Sequence, residues 1–124
     1  MKKIIKTKKA PAPIGPYNQA ILLGNMLYTS GQIAIDPDTA ELVTDSIESE
    51  TRQVMENLKA ILQAADMDFE NVIKTTIFVS DMNNFSKINT IYGHYFKTAP
   101  ARETVEVTNL PKFANVEISV IASC

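Results

Sequence analysis

A chain of 124 residues, 45% hydrophobic and 21% charged, is sized and composed for one folded domain, 1–124, with a substantial core. Its formal charge of −2 and pI near 5.3 supply no basic field to draw nucleic acid or anionic lipid. The lone cysteine, Cys124, excludes an intramolecular disulfide and a thiolate metal cluster. No run approaches the roughly 18 apolar residues of a membrane span. The start is basic but lacks the apolar run of a secretory leader, so a cytoplasmic protein is expected.

Residues 2–9 read as a short strand whose lysines, Lys2, Lys3, Lys6, Lys8 and Lys9, suit a solvated sheet edge. The stretch Ala10-Pro11-Ala12-Pro13-Ile14-Gly15-Pro16 excludes helix, because its prolines remove donors and hold their predecessors extended. Residues 19–23 and 26–30 read as two strands around Gly24-Asn25, a pair suited to a tight hairpin turn, and Asp36-Pro37-Asp38 makes the next turn.

A helix follows, its apolar stripe built from Ile47, Thr51, Val54, Met55, Leu58, Ile61, Leu62 and Ala65, with Asp45 and Glu48 resembling a capping box. The β-branched run 72–80 reads as a central strand, and 84–97 as a second helix with Phe85, Ile88, Ile91, Tyr92, Tyr95 and Phe96 on or near its inner face. Two strands close the chain, about 102–107 and 115–122, on either side of Leu110-Pro111. The order predicts an α+β fold, a mixed β-sheet with two helices packed on one face. Nothing in the chain is left to cover the other face, and self-association is the economical answer.

Chemistry is constrained first by what is missing. There is no Gly-rich phosphate loop and no Cys/His cluster, and the single histidine, His94, cannot bind a metal unaided. What stands out are charges in strands. Alternation puts Arg102, Thr104 and Glu106 on one face of their strand, while Glu117 interrupts the apolar run Val116 to Ala122. Both residues could simply face solvent or pair with each other. The functional alternative makes Arg102 a clamp for a carboxylate, whose geometry its planar fork matches, and Glu117 a handler of protons. Gly15-Pro16-Tyr17 and Ser30-Gly31-Gln32 each set a glycine beside polar residues, which suits close approach of backbone to a ligand, although plain turns look the same.

Taken together, Ile14-Gly15-Pro16-Tyr17-Asn18-Gln19-Ala20, Ser30-Gly31-Gln32-Ile33, Asn57-Leu58, Pro100-Ala101-Arg102, Leu110-Pro111-Lys112 and Val116-Glu117-Ile118 resemble the RidA (YjgF) family in order and spacing, across nearly the whole chain. The resemblance implies a fold like that of trimeric chorismate mutase: a homotrimer around a central barrel, with clefts between neighbouring subunits. It implies hydrolysis of 2-enamine and 2-imino acids, such as 2-iminopropanoate and 2-iminobutanoate, to 2-oxo acids and ammonia, without a cofactor or metal.

By the same resemblance Arg102 holds the substrate carboxylate and the Gly31 backbone shapes the pocket. Glu117 activates water or shuttles a proton, helped by the backbone carbonyl of Thr104. Tyr17 closes the cleft, and Ser30 and Asn89 are further polar contacts. One departure stands out: many deaminase members carry cysteine where this chain has Thr104. The segment from Tyr95 to Ala99 is also shorter than in some members. Two other readings stay open, a non-catalytic ligand-binding or regulatory relative and a translation-inhibiting ribonuclease; the acidic pI and the absence of tryptophan argue against the second.

Overall fold

Alternating and helical runs of apolar residues set the elements, and the computed structural model, which describes residues 1–124, carries them as six strands and two helices. The strands are β1 (Lys2–Ile5), β2 (Ala20–Leu23), β3 (Met26–Thr29), β4 (Val72–Val79), β5 (Ala101–Glu106) and β6 (Val116–Ser123). The helices are α1 (Ile47–Ala64) and α2 (Phe85–Gly93). All strands join one mixed sheet in the order β1-β2-β3-β6-β4-β5. Only β4 and β5 run parallel, and α2 is the crossover that such a pair requires. The α+β layout is therefore as expected, with β1 on an edge and β4 in the interior.

The core lies between the sheet and the helices. Along β6 burial alternates, so Val116, Ile118, Val120 and Ala122 pack inward against Leu58, Ile61 and Leu62 of α1. Each of these valine, isoleucine and leucine side chains stabilises the fold by roughly 1.5–3 kcal/mol on burial. The intervening residues turn to the face that carries no helix. There the ladder aligns Ile4, Ile21, Tyr28 and Ile121 in one row across β1, β2, β3 and β6, and Ile4 and Tyr28 are exposed.

Strands β2 to β6 end within one residue of the sequence reading, and three other boundaries differ from it, each for a local reason. β1 stops at Ile5 rather than residue 9, because the Gln19 side chain accepts from Thr7 N at 2.7 Å and donates to Thr7 O at 3.0 Å, replacing ladder bonds. Helix α1 is capped by Ser46, not by an Asp45–Glu48 box: Ser46 Oγ accepts from Ser49 N at 3.0 Å. The second helix is Phe85–Gly93 rather than 84–97. A 3-10 turn, Met82–Asn84, capped by Asp81, precedes it, and beyond Gly93 the chain unwinds so that Tyr95 and Phe96 meet the ring of Phe69 edge-on. No helix is long and apolar enough to cross a membrane.

Candidate functional site

Glu117 follows Val116 and precedes Ile118, both fully buried under the helices, so strand alternation turns it to the helix-free face. The segment 30–32 lies against it, held by Gln32 N donating to Ile118 O at 2.8 Å and Ile118 N donating to Gln32 O at 3.1 Å. A Cβ at Gly31 would stand 2.7 Å from both Cδ and Oε2 of Glu117, so only glycine lets the carboxylate occupy this place. Desolvation pushes the Glu117 carboxyl above its ordinary value of 4.5.

In front of it opens a cleft of about 330 Å³ with Tyr17, Ser30, Gly31 and Glu117 in its lining. Ile14, Ile33, Ile35 and Pro111 supply an apolar wall. Tyr17 is half-exposed, and its hydroxyl accepts from Ile14 N at 3.3 Å, while Ser30 Oγ donates to Asn18 O.

Three buried polar side chains hold the irregular segments around this cleft. Gln19 donates from Nε2 to Ala10 O and Pro11 O at 3.2 and 2.8 Å, fixing the proline-rich stretch. Asn57 of α1 donates to Ile33 O and Ile35 O at 3.2 and 2.9 Å. Glu50, only 1% exposed, accepts from Asn115 N at 2.7 Å and from Asn115 Nδ2 at 2.8 Å, two residues before Glu117. None of the three had been assigned a role from the sequence. A signal existed for two of them, because Glu50 and Asn57 fall at helical spacing on the buried stripe of α1.

Arg102 lies elsewhere. In the parallel ladder it pairs with Thr75, whose other neighbour across β6 is Val120, so Arg102 faces the helices. Its Nη1 donates to Asn89 Oδ1 at 2.6 Å. Its Cζ sits 5.4 Å from the Phe85 ring centre and 5.1 Å from that of Tyr92. No carboxylate pairs with it; the ion pairs of the chain are Lys74–Glu103 and Lys97–Glu70. Thr104 follows on the same strand face, and its Oγ1 is the one buried side-chain polar atom without a hydrogen-bond partner. Glu106 is on that face too, but it accepts from Met82 N at 2.8 Å and so holds the turn before α2.

The residues therefore fall into two groups. Tyr17, Ser30, Gly31 and Glu117 share one cleft, whereas Asn89, Arg102 and Thr104 share the helix side of β5. Phe78 pairs with both Val105 and Glu117, which places Glu117 in the row of Val105 and on the face opposite Arg102. The alternative in which Arg102 and Glu117 pair within one chain is thereby excluded. No three His, Cys, Asp or Glu side chains are placed to share a metal ion.

A family model described as Endoribonuclease L-PSP matches residues 7–124. The chain belongs to this family, that of RidA and YjgF. The RutC family protein PH0854 of Pyrococcus horikoshii is 53% identical over 123 residues, covering 98% of each chain. The human 2-iminobutanoate/2-iminopropanoate deaminase is 44% identical, covering 98% of this chain and 90% of its own. Among solved structures, a Rid-family protein of Yersinia pestis superposes with a TM-score of 0.97 at 52% identity over the full length of both chains. Escherichia coli TdcF, solved with bound serine, gives a TM-score of 0.95 at 42% identity, covering 98% of each. L-PSP family membership thus spans sequence and fold alike.

Proposed function

We propose that this protein hydrolyses 2-imino acids and their 2-enamine tautomers, 2-iminopropanoate and 2-iminobutanoate among them, to 2-oxo acids and ammonia. The observation that carries the reading is that the chain holds both an arginine without a carboxylate partner and a desolvated glutamate packed on Gly31. Arg102 binds the substrate carboxylate through the donors that Asn89 leaves free. Glu117 takes a proton from water as its oxygen attacks the C=N carbon of the iminium form. Glu117 returns that proton to the nitrogen of the tetrahedral carbinolamine, the C–N bond breaks as ammonia leaves, and C=O forms as the hydroxyl gives its proton to the freed Glu117 carboxylate, which passes it to ammonia or solvent. A raised carboxyl is a better base for this traffic than an ordinary one. Tyr17 and Ser30 line the substrate, and the Thr104 carbonyl assists the water. The chemistry asks for no cofactor.

Because the two groups sit on opposite sheet faces, one copy's Arg102 must meet another copy's Glu117. A homotrimer closed through the apolar, helix-free face supplies that meeting three times over and covers Ile4 and Tyr28. The reading includes a cytoplasmic site of action, where the eliminations that generate such imines occur. The human relative's name supports the activity, and the serine bound to TdcF supports an amino-acid-sized ligand. That serine also favours a second reading, ligand binding without turnover. Ribonuclease action draws support from the family's description, against a net charge of −2.

A coupled assay separates these readings. A serine or threonine dehydratase generates the imine in situ, with semicarbazide as a trap. Catalytic amounts of this protein are expected to speed 2-oxo acid release and lower semicarbazone. Unchanged curves across short and branched imines would leave ligand binding as the better account.

A further inference from the structure

Phe85, Asn89 and Tyr92 stand at i, i+4 and i+7 on α2 and so share one helix face, and all three meet Arg102 of β5. We propose that the rings of Phe85 and Tyr92 form a bracket that positions the Arg102 guanidinium for carboxylate capture, with Thr75 as the peg that sets the bracket. This rests on the assignment of Arg102 as the carboxylate clamp.

The geometry assigns each part. Arginine has a long, flexible stem, and an unpaired one on an exposed edge strand ordinarily samples many rotamers. Here the cation lies 5.4 and 5.1 Å from two ring centres, within the range where the ring quadrupole attracts it. Asn89 Oδ1 accepts a hydrogen bond from Nη1 and sets rotation about the last bond, leaving the Nε–Nη2 edge without an acceptor in the chain. That edge offers the two parallel donors of a bidentate contact.

Tyr92 is itself held. Its hydroxyl shares a 2.7 Å hydrogen bond with Thr75 Oγ1, and Thr75, fully buried, is the ladder partner of Arg102. Strand register thus fixes the ring and the cation relative to one another. Phe85 is only half-buried, so its packing role in the core is small beside that of Tyr92.

A ladder of substitutions tests the bracket. Phe85→Leu keeps apolar bulk and removes the π face, whereas Phe85→Tyr and Phe85→Trp keep the face. Removing one cation–π contact is expected to weaken the clamp about threefold to tenfold. Phe85→Leu should raise KM for the imine, and Kd for the product 2-oxobutanoate, by that factor, with kcat altered less than twofold. Phe85→Tyr should recover most of the loss. The Arg102 Nε–H resonance, shifted by the ring currents in the wild type, should move toward the position of a free arginine in Phe85→Leu, and Tyr92→Phe should broaden it. Thermal melts verify that each variant is folded.

Wild-type turnover with Phe85→Leu equal to wild type in KM, Kd and resonance position overturns the bracket alone. Graded 2-oxobutanoate affinity without imine turnover by the wild type sustains the bracket and overturns the deaminase assignment. Leucine performing as well as tyrosine would mark Phe85 as packing only and also overturn the bracket.

Discussion

The two halves of the site keep a charge ready in opposite ways. Arg102 is on an exposed edge strand and is restrained by contacts to its own side chain: two rings and the Asn89 amide. Glu117 makes no such contacts; its backbone neighbourhood is held instead, by Glu50 through Asn115 and by Gln32 through Ile118, and the carboxylate is left half-buried against Gly31. Under the proposed roles the difference follows from the task. A clamp needs a defined orientation. A proton carrier needs a shifted equilibrium, and desolvation provides one where an ion pair would remove it.

The strongest way to break this comparison is to separate the halves. Arg102→Ala should lower kcat/KM by roughly a hundredfold to a thousandfold through lost anchoring, with the fold intact. Glu117→Gln should lower kcat on the order of a hundredfold or more while retaining 2-oxobutanoate binding. If each centre joins two copies, unfolding and co-refolding the two inactive variants in equal amounts should regenerate intact centres at roughly one in four. Zero recovery would overturn a centre shared between copies.

Next in size is Gly31→Ala. The added methyl displaces the Glu117 carboxylate, and a shift of about 1 Å should cost roughly a hundredfold in kcat with little change in product affinity. Equal losses in kcat and affinity would show instead that residue 31 acts on binding.

A pH series sharpens the contrast in ionisation. With its folded pKa raised above the unfolded value of 4.5, Glu117 binds its proton more tightly in the folded state. Stability is therefore lost as pH rises from about 4.5 through the folded value, and Glu117→Gln removes that loss. The variant should melt higher than wild type at pH 7 and level with it below the unfolded value. The acid limb of kcat should lie above that of an ordinary glutamate and vanish in the variant.

The smallest effect concerns the loop beside the cleft. Lys112 and Phe113 both hold positive φ, 55° and 57°, and Phe113 is 84% exposed, so the strained ring gains almost no burial within the chain. Phe113→Gly should raise the stability of the isolated chain by up to about 1 kcal/mol, about 4 °C in Tm. A fall in Tm that grows with protein concentration would assign the ring to a contact between copies.

Much of this was legible in the residues themselves. The α1 stripe and the β4 run declare their periods, and the alternation along β5 and β6 correctly sorts Arg102 from Glu103 and Glu117 from Ile118. What alternation leaves open is the relation between strands. Parity within β5 and parity within β6 are each readable, but whether Arg102 and Glu117 share a face depends on the register of both strands against β4. The cap of α1 and the end of α2 were misplaced because Asp45, Ser46 and Glu48 all have capping chemistry, and because Tyr95 and Phe96 fit helical spacing while their rings are drawn to Phe69. The cleft wall was missed because Ile33 and Ile35 come from a segment without regular period, held by an asparagine one helix away.

The opposed placement of Arg102 and Glu117 also bears on how output scales with the amount of protein. A centre shared between copies exists only while copies are associated, so activity per chain depends on concentration by mass action. Below the dissociation constant of the assembly, halving the protein would lower the rate by more than half. Expression level would then act as a threshold rather than a dial.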